Sequence, residues 1–143
     1  MKVLKSWLQD YIEETLPNDE KIIETLTLKS CEVEGFEKVE TIGKDGNKID
    51  DTVFDIKVLP DRAHYMLSHR GVAYDLCAIL GFTLKEKENI LPEKIIDSNE
   101  KIEVNICNRY SDISIENVKN IESPLWLKSR LESIGSRSIS AIV

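Results

Sequence analysis

Apolar positions along the chain recur at two spacings, and the changes between them divide it into elements. Trp7, Leu8, Tyr11 and Ile12 fall on one helical face. They follow Ser6-Trp7-Leu8-Gln9, a Ser at the N-cap with a Gln three residues on, which is the reciprocal capping arrangement. Pro17-Asn18-Asp19 stops that helix and starts another, with acids in its first turn to suit the helix dipole and a buried stripe of Ile22, Ile23 and Leu26. From Cys31 the period falls to two, with Cys31 and Val33 alternating with Glu32 and Glu34. Gly35 breaks the phase before Phe36, which predicts a bulge. Gly43-Lys44-Asp45-Gly46-Asn47 is a turn signal. Beyond it Thr52 to Val58 places Phe54, Ile56 and Val58 on one face and Asp55 and Lys57 on the other, so the region reads as a β-hairpin.

A third helix begins at Ser68 as N-cap and ends at Gly81, with Leu67, Val72, Ala73, Leu76, Cys77 and Leu80 as its core stripe. Gly71 inside it costs about 1 kcal/mol relative to Ala, so the position needs space, and close packing against the hairpin is the simplest reason. Residues 84–100 are polar, carry Pro92 and read as a linker with a short extended piece at Ile95-Ile96. Ile102, Val104 and Ile106 alternate as a strand, and a second strand fits Ile113 to Val118. Ser123-Pro124 predicts a helix start, Ser at the N-cap and Pro next, for a helix with Leu127, Leu131 and Ile134 that stops at Gly135. The final apolar residues, through Ile142-Val143, look like the start of another element, so the second unit is expected to be cut off. The expected fold is α+β: a helix-plus-hairpin domain at 1–84, a linker at 85–100 and the incomplete start of a second α+β domain at 101–143.

Charge sharpens this picture. The chain of 143 residues has a net charge of −7, and between Gln9 and Glu40 ten acids face three lysines, so the remainder is neutral on balance. Such a first third repels phosphate backbones and is no nucleic-acid clamp by itself. Cys31, Cys77 and Cys107 are far apart with no C-x-x-C spacing, which reads as reduced core thiols in a cytoplasmic protein. No run of about 18 apolar residues exists to span a membrane.

Candidate chemistry is thin. Asp61-Arg62 beside His64 and His69 has the composition of a polar cluster, but no nucleophile or orienting partner accompanies it. The pair reads instead as a turn that fixes the strand-to-helix corner through backbone hydrogen bonds. The spacing of the two histidines fits a helix poorly for metal binding. Trp126 has the shape to stack on a base, but a buried aromatic at a helix start is the plainer reading. Lys128, Arg130 and Arg137 read as a solvated helix face. No glycine-rich phosphate loop is present, so nucleotide binding has no support, and with no acid–base pair or nucleophile standing out the chain itself is expected to hold no cofactor and no metal and to carry no catalytic residue.

Three blocks, taken in order, resemble the N-terminal region of the β subunit of bacterial phenylalanine–tRNA ligase. The first is the opening strand and helix, Met1-Lys2-Val3 with Ser6-Trp7-Leu8 and Tyr11, then Leu26-Thr27 and Glu32-Val33-Glu34. The second runs from Pro60-Asp61-Arg62 through Leu67-Ser68 to Gly71-Val72-Ala73. The third begins at Cys107 and Arg109-Tyr110 and continues through Asn117-Val118, Ser123-Pro124-Leu125-Trp126-Leu127, Arg130-Leu131, Gly135 and Arg137, ending at Ile139 and Ile142-Val143. Leu59, Asp61 and His64 stand where the family usually has Thr, Asn and Asp. Ser30 replaces a customary Gly, and Tyr74-Asp75 replaces an Arg-Glu pair. Many bacterial β subunits insert an OB-fold tRNA-binding module in the hairpin region; here only Gly43–Asn47 and its flanks occupy that place.

The resemblance implies a non-catalytic structural and subunit-contact region of an enzyme that attaches phenylalanine to tRNA(Phe) with ATP and Mg²⁺. The aminoacylation centre of such an enzyme lies in the α subunit of an α2β2 assembly, and its editing pocket lies further along the β subunit. The expected partners are therefore the α subunit and, within the complex, tRNA(Phe), with weak or no tRNA binding by this chain alone. The competing reading is a free-standing acidic interaction module or relic with no role in aminoacylation.

Overall fold

The computed structural model describes residues 1–86, 103, 105, 107, 108, 110, 115 and 117–142. Eight elements lie among them: β1 (Lys2–Leu4), α1 (Lys5–Gln9), α2 (Asp19–Lys29), β2 (Val33–Ile42), β3 (Lys48–Ile56), α3 (Ala63–Met66), α4 (His69–Leu80) and α5 (Leu125–Ser133). The fold is α+β, helices around an antiparallel three-stranded sheet of order β1-β3-β2.

The predicted hairpin forms, and β1 enlarges it. β3 is central: Val3 faces Phe54 on one side and Phe36 faces Phe54 on the other. The bulge falls where Gly35 signals it, because Val33 pairs with Ile56 while Gly35 pairs with Asp55, leaving Glu34 as the extra residue. The turn closes with the Gly43 N–H donating to Asn47 O at 2.8 Å and with Gly46 in the left-handed region at φ 84°. β3 begins four residues before the expected Thr52 and stops short of Val58.

The first helix is shorter than its apolar spacing suggests. α1 ends at Gln9, and Ser6 lies inside it rather than at its N-cap, which is Leu4. The capping box does not form because Ser6 lies within the helix and the Gln9 side chain has other partners. The Ser6 N–H donates to Asp51 Oδ1 at 3.1 Å, an acceptor on β3 that does a cap's work. The Gln9 carboxamide donates to Ile12 O and Glu14 O and accepts from Leu16 N–H, and so holds residues 10–16 as a loop. That loop also pairs with the chain after α4: the Glu13 N–H donates to Thr83 O and the Lys85 N–H to Tyr11 O. Leu84 therefore bridges to Ile12 and does not begin a free linker.

α2 and α4 form as read. Asn18 caps α2 by accepting from Lys21 N–H at 3.0 Å, and Ser68 caps α4 by accepting from Gly71 N–H at 3.0 Å. Gly81 closes α4 at φ 72°. Ile22 and Leu26 from α2 and Val72, Ala73, Leu76 and Cys77 from α4 meet Val3, Leu8, Ile12, Phe54, Ile56 and Met66 in one buried cluster. Leu67 is not among them: it is 61% exposed, because the residue before an N-cap lies outside the helical periodicity. The Gly71 space is also taken by a different neighbour, since an added Cβ would lie 1.9 Å from Tyr65 O, on the α3 turn and not on the hairpin.

α5 starts one residue later than expected, at Leu125 with Pro124 as N-cap, and Ser123 Oγ accepts from Ser138 Oγ instead of capping. Gly135 ends it at φ 80°. α5 packs against β2, where Ser129 Oγ accepts the Ile42 N–H at 3.1 Å. Cys31 and Cys77 are buried thiols, whereas Cys107 is exposed and belongs to no core. The strands expected at 102–106 and 113–118 and the piece at Ile95-Ile96 lie wholly or largely outside the described residues.

Candidate functional site

β1 runs directly into α1, which sets Trp7 beside the first turn of α4. His69 there stacks on Trp7 with ring centroids 4.1 Å apart and planes at 26°, and its Nε2 accepts the Leu4 N–H at 3.2 Å. From the other end of the chain, α5 brings Arg130 to the same place. Its guanidinium lies 5.7 Å from the Trp7 ring and 5.6 Å from the Trp126 ring, and it donates to Asp10 Oδ2 at 2.6 Å. Lys44, from the hairpin turn, donates to the same oxygen at 3.1 Å and lies 5.7 Å from the Trp126 ring.

Arg130 is only 6% exposed, so it is a held group and not part of a solvated basic face. A desolvated cation over an aromatic ring is worth about 2 kcal/mol, and a buried guanidinium also needs its carboxylate. Burial would raise the Asp10 pKa, but hydrogen bonds and charge from Arg130 and Lys44 outweigh it and hold the carboxyl below its usual range. His69 responds in the opposite sense. Burial first, then the Arg130 charge, bring it down to about 4, so it is neutral and keeps the Nε2 lone pair that accepts from Leu4.

A second network fixes the corner between β3 and α4. Arg62 Nη1 donates to Asp75 Oδ2 at 2.8 Å, to Tyr65 Oη at 3.2 Å and to Ser30 Oγ at 3.4 Å. Tyr65 Oη donates to Asp75 Oδ1 at 3.1 Å. Burial chiefly, then the hydrogen bond to Asp75, raise the Tyr65 pKa. The corner is therefore tied by side chains in addition to backbone hydrogen bonds at Arg62, whose N–H donates to Leu59 O at 3.1 Å and whose carbonyl accepts from the Tyr65 and Met66 N–H groups. Asp61 contributes little, lying exposed with its carboxylate 4.0 Å from Arg62 Nε. On the far side of the core, Asp19 accepts from Lys5, Lys38 and Thr52 Oγ1. Burial resists its charge, but these donors prevail and lower its pKa.

The residues singled out from sequence thus divide into groups. Trp7 and Trp126 flank Arg130, with His69 against Trp7. Arg62, Ser68 and Gly71 build the corner, and Ala73 is buried beneath it. Ser6, Ser123, Pro124 and Gly135 set helix ends or their hydrogen bonds, and Leu127 is half-buried along α5. Pro60, Tyr110 and Arg137 are exposed, and Arg109 lies outside the described residues. Asp10, Lys44, Asp51, Tyr65 and Asp75 carry no motif signal, because each acts through a partner distant in sequence. Asp75 alone had a hint, as a carboxylate kept where the resembling family has Glu.

No family model matches the chain, and no solved structure matches it. Curated relatives do. The phenylalanine–tRNA ligase β subunit of Aquifex aeolicus is 38% identical over 104 residues, covering 71% of this chain and 13% of that protein. That of Carboxydothermus hydrogenoformans is 37% identical over 110 residues, 75% of this chain and 13% of the relative. That of Rhodopirellula baltica is 31% identical over 150 positions, which cover the whole chain and 20% of the relative. The chain thus spans 13–20% of the length of these three relatives. With relatives of this kind at 31–38% identity over 71–100% of its length, the chain belongs to the phenylalanine–tRNA ligase β-subunit family, in the form of the N-terminal region of the bacterial type.

Proposed function

We propose that this chain is a structural and subunit-contact region of a phenylalanine–tRNA ligase β subunit and carries no catalytic group of its own. One observation supports this most: Trp7 of the first block, His69 within the second and Trp126 with Arg130 of the third converge on a closed, hydrogen-bonded junction. Such an arrangement fixes one segment against another and offers substrate no access. In this reading residues 1–84 form the first unit, 85–100 join it to the next, and 101–143 open a second α+β unit. α5 of that second unit anchors on β2 of the first.

The whole enzyme is proposed to charge tRNA(Phe) in the cytoplasm, with an α subunit supplying the aminoacylation centre in an α2β2 assembly. The ATP and Mg²⁺ of that reaction are proposed to be held elsewhere in the enzyme. Among the described residues no group of three His, Cys, Asp or Glu side chains is placed to hold a metal, and the buried carboxylates of Asp19 and Asp75 are already held by cations. No chemical step is therefore assigned to this chain.

The test combines binding and activity. Mixed with the α subunit of its own genome, the chain is expected to co-elute in size exclusion, and independent elution would overturn the subunit-contact role. Alone, it is expected neither to form an aminoacyl-adenylate nor to release amino acid from Tyr-tRNA. Either activity would overturn the non-catalytic reading.

A further inference from the structure

The outer side of the corner carries a depression of about 350 Å³, lined by Tyr65, Ser68, Arg70, Gly71 and Tyr74. One of its walls is fixed before any partner arrives. Tyr65 is pinned at its hydroxyl by Arg62 and Asp75, and Tyr74 stands edge-on to it with ring centroids 6.4 Å apart at 80°. The floor is Gly71, pressed so closely on the Tyr65 carbonyl that no side chain fits. Tyr74 is 58% exposed and the neighbouring Leu67 61%, large apolar surfaces left to water beside the depression. Arg70 is exposed, and its side chain has no ion pair or hydrogen bond among the described residues. In a chain of net charge −7, Lys2, Lys5, Lys21, Lys38, Lys44, Lys48 and Lys57 pair with carboxylates, whereas Arg70, like Lys29, Lys119 and Arg137, has no ion pair among the described residues, and of these only Arg70 lines the depression.

We propose that this depression docks a polypeptide segment presenting a carboxylate beside an apolar side chain, the carboxylate on Arg70 and the apolar group between Tyr65 and Tyr74. Charge complementarity selects the occupant: a free guanidinium, with five fixed donors, matches a carboxylate in bidentate geometry. A preformed aromatic wall supplies contact area at little ordering cost. A nucleic-acid strand offers anions as well, but it brings a row of phosphates against a strongly acidic protein. A peptide carries one or two charges and avoids that repulsion. The inference concerns the site's chemistry and does not depend on which complex contains the chain.

The test is a titration of the ¹⁵N-labelled chain with acetyl-Glu-Leu-Phe-amide, followed by NMR. Shifts are expected at the amides of Tyr65, Ser68, Arg70, Gly71 and Tyr74, with affinity in the millimolar range, and about tenfold weaker binding of acetyl-Gln-Leu-Phe-amide. Arg70→Glu lies in the first turn of α4, where an acid suits the helix dipole, so this variant keeps its fold. It should lose the Glu peptide and gain acetyl-Lys-Leu-Phe-amide. Tyr74→Ala, at an exposed position, should weaken every peptide. Absence of shifts at these amides, equal binding of the Glu and Gln peptides, or equal binding by Arg70→Glu would overturn the proposal. So would a single-stranded RNA that shifts the same amides more strongly than the peptide, or concentration-dependent shifts without peptide, which would make a second copy the occupant.

Discussion

At position 71 a methyl group has nowhere to go, since a Cβ would lie 1.9 Å from the Tyr65 carbonyl oxygen and 2.7 Å from its carbon. Both neighbours are backbone, so relief requires moving α3 away from α4. Gly71→Ala is expected to cost about 3 kcal/mol in urea unfolding, at the upper end for overpacking. Gly35→Ala, where nothing lies within 4 Å, should change stability by less than about 1 kcal/mol in the same assay. The titration of His69 gives a second test at this scale. Its pKa is about 4 in the fold against an ordinary value of 6.5. Between those values the unfolded chain takes up a proton that the folded chain refuses, so stability rises with pH across that window. The contribution is complete above the unfolded value, is lost as pH falls to 4, and reaches about 3 kcal/mol at most. Chemical denaturation from pH 7 to 4 should show this slope, and His69→Gln should flatten it. Asp10 and Asp19, whose pKa values are lowered, act further down the scale, where protonating them removes their pairing.

Among the elements, what the sequence made legible was what is decided locally. Asn18, Ser68 and Gly81 were readable because a cap satisfies backbone groups within a few residues of itself. The bulge at Gly35 was readable because a break in a two-residue period needs no distant partner. β1 took its place through pairing with β3, some fifty residues away, and three residues carry no period. α1 was overestimated for a related reason. Tyr11 and Ile12 do face the core side, but they reach it through a loop held by Gln9 and by the chain after α4. Arg130 was misjudged because its two rings and its carboxylate come from α1, the Asp10 loop and its own helix, a meeting that only the tertiary fold creates. The same residue supplies a prediction. Arg130→Met should keep the three-stranded sheet yet release α5, with faster hydrogen exchange at the Ile42 amide and a shift in tryptophan emission. If the Ile42 amide stays as protected as in the parent chain, Arg130 is not what holds α5 on β2.

At the scale of the whole molecule, charge and topology jointly bear on tRNA. Each phosphate contact needs a cation free to replace counterions along the backbone path. In this chain most cations of the first unit are spent internally, Lys29 and Arg70 excepted among the described residues: Lys5 and Lys38 on Asp19, Lys44 on Asp10, Lys48 on Glu40, and Lys57 on Glu32 and Glu34. Arg62 is committed to Asp75 and Arg130 to Asp10. What remains outward is mostly acid, concentrated between Gln9 and Glu40. The hairpin offers no compensation, because β2 passes to β3 through the turn at Gly43–Asn47 with no inserted module to present a basic groove. This chain alone is therefore expected to bind tRNA(Phe) with a Kd above about 100 µM even at low salt, in the range of non-specific contacts or weaker. A mobility-shift titration near 10 mM salt, where about 30 Å of Debye length gives electrostatic attraction its best chance, is the measurement. Micromolar binding there that fades steeply as salt rises would mean that tRNA competes successfully for the lysines now paired with carboxylates. Lys38→Gln and Lys44→Gln would then weaken it, and the acidic first third would have to be read as a face turned away from the RNA.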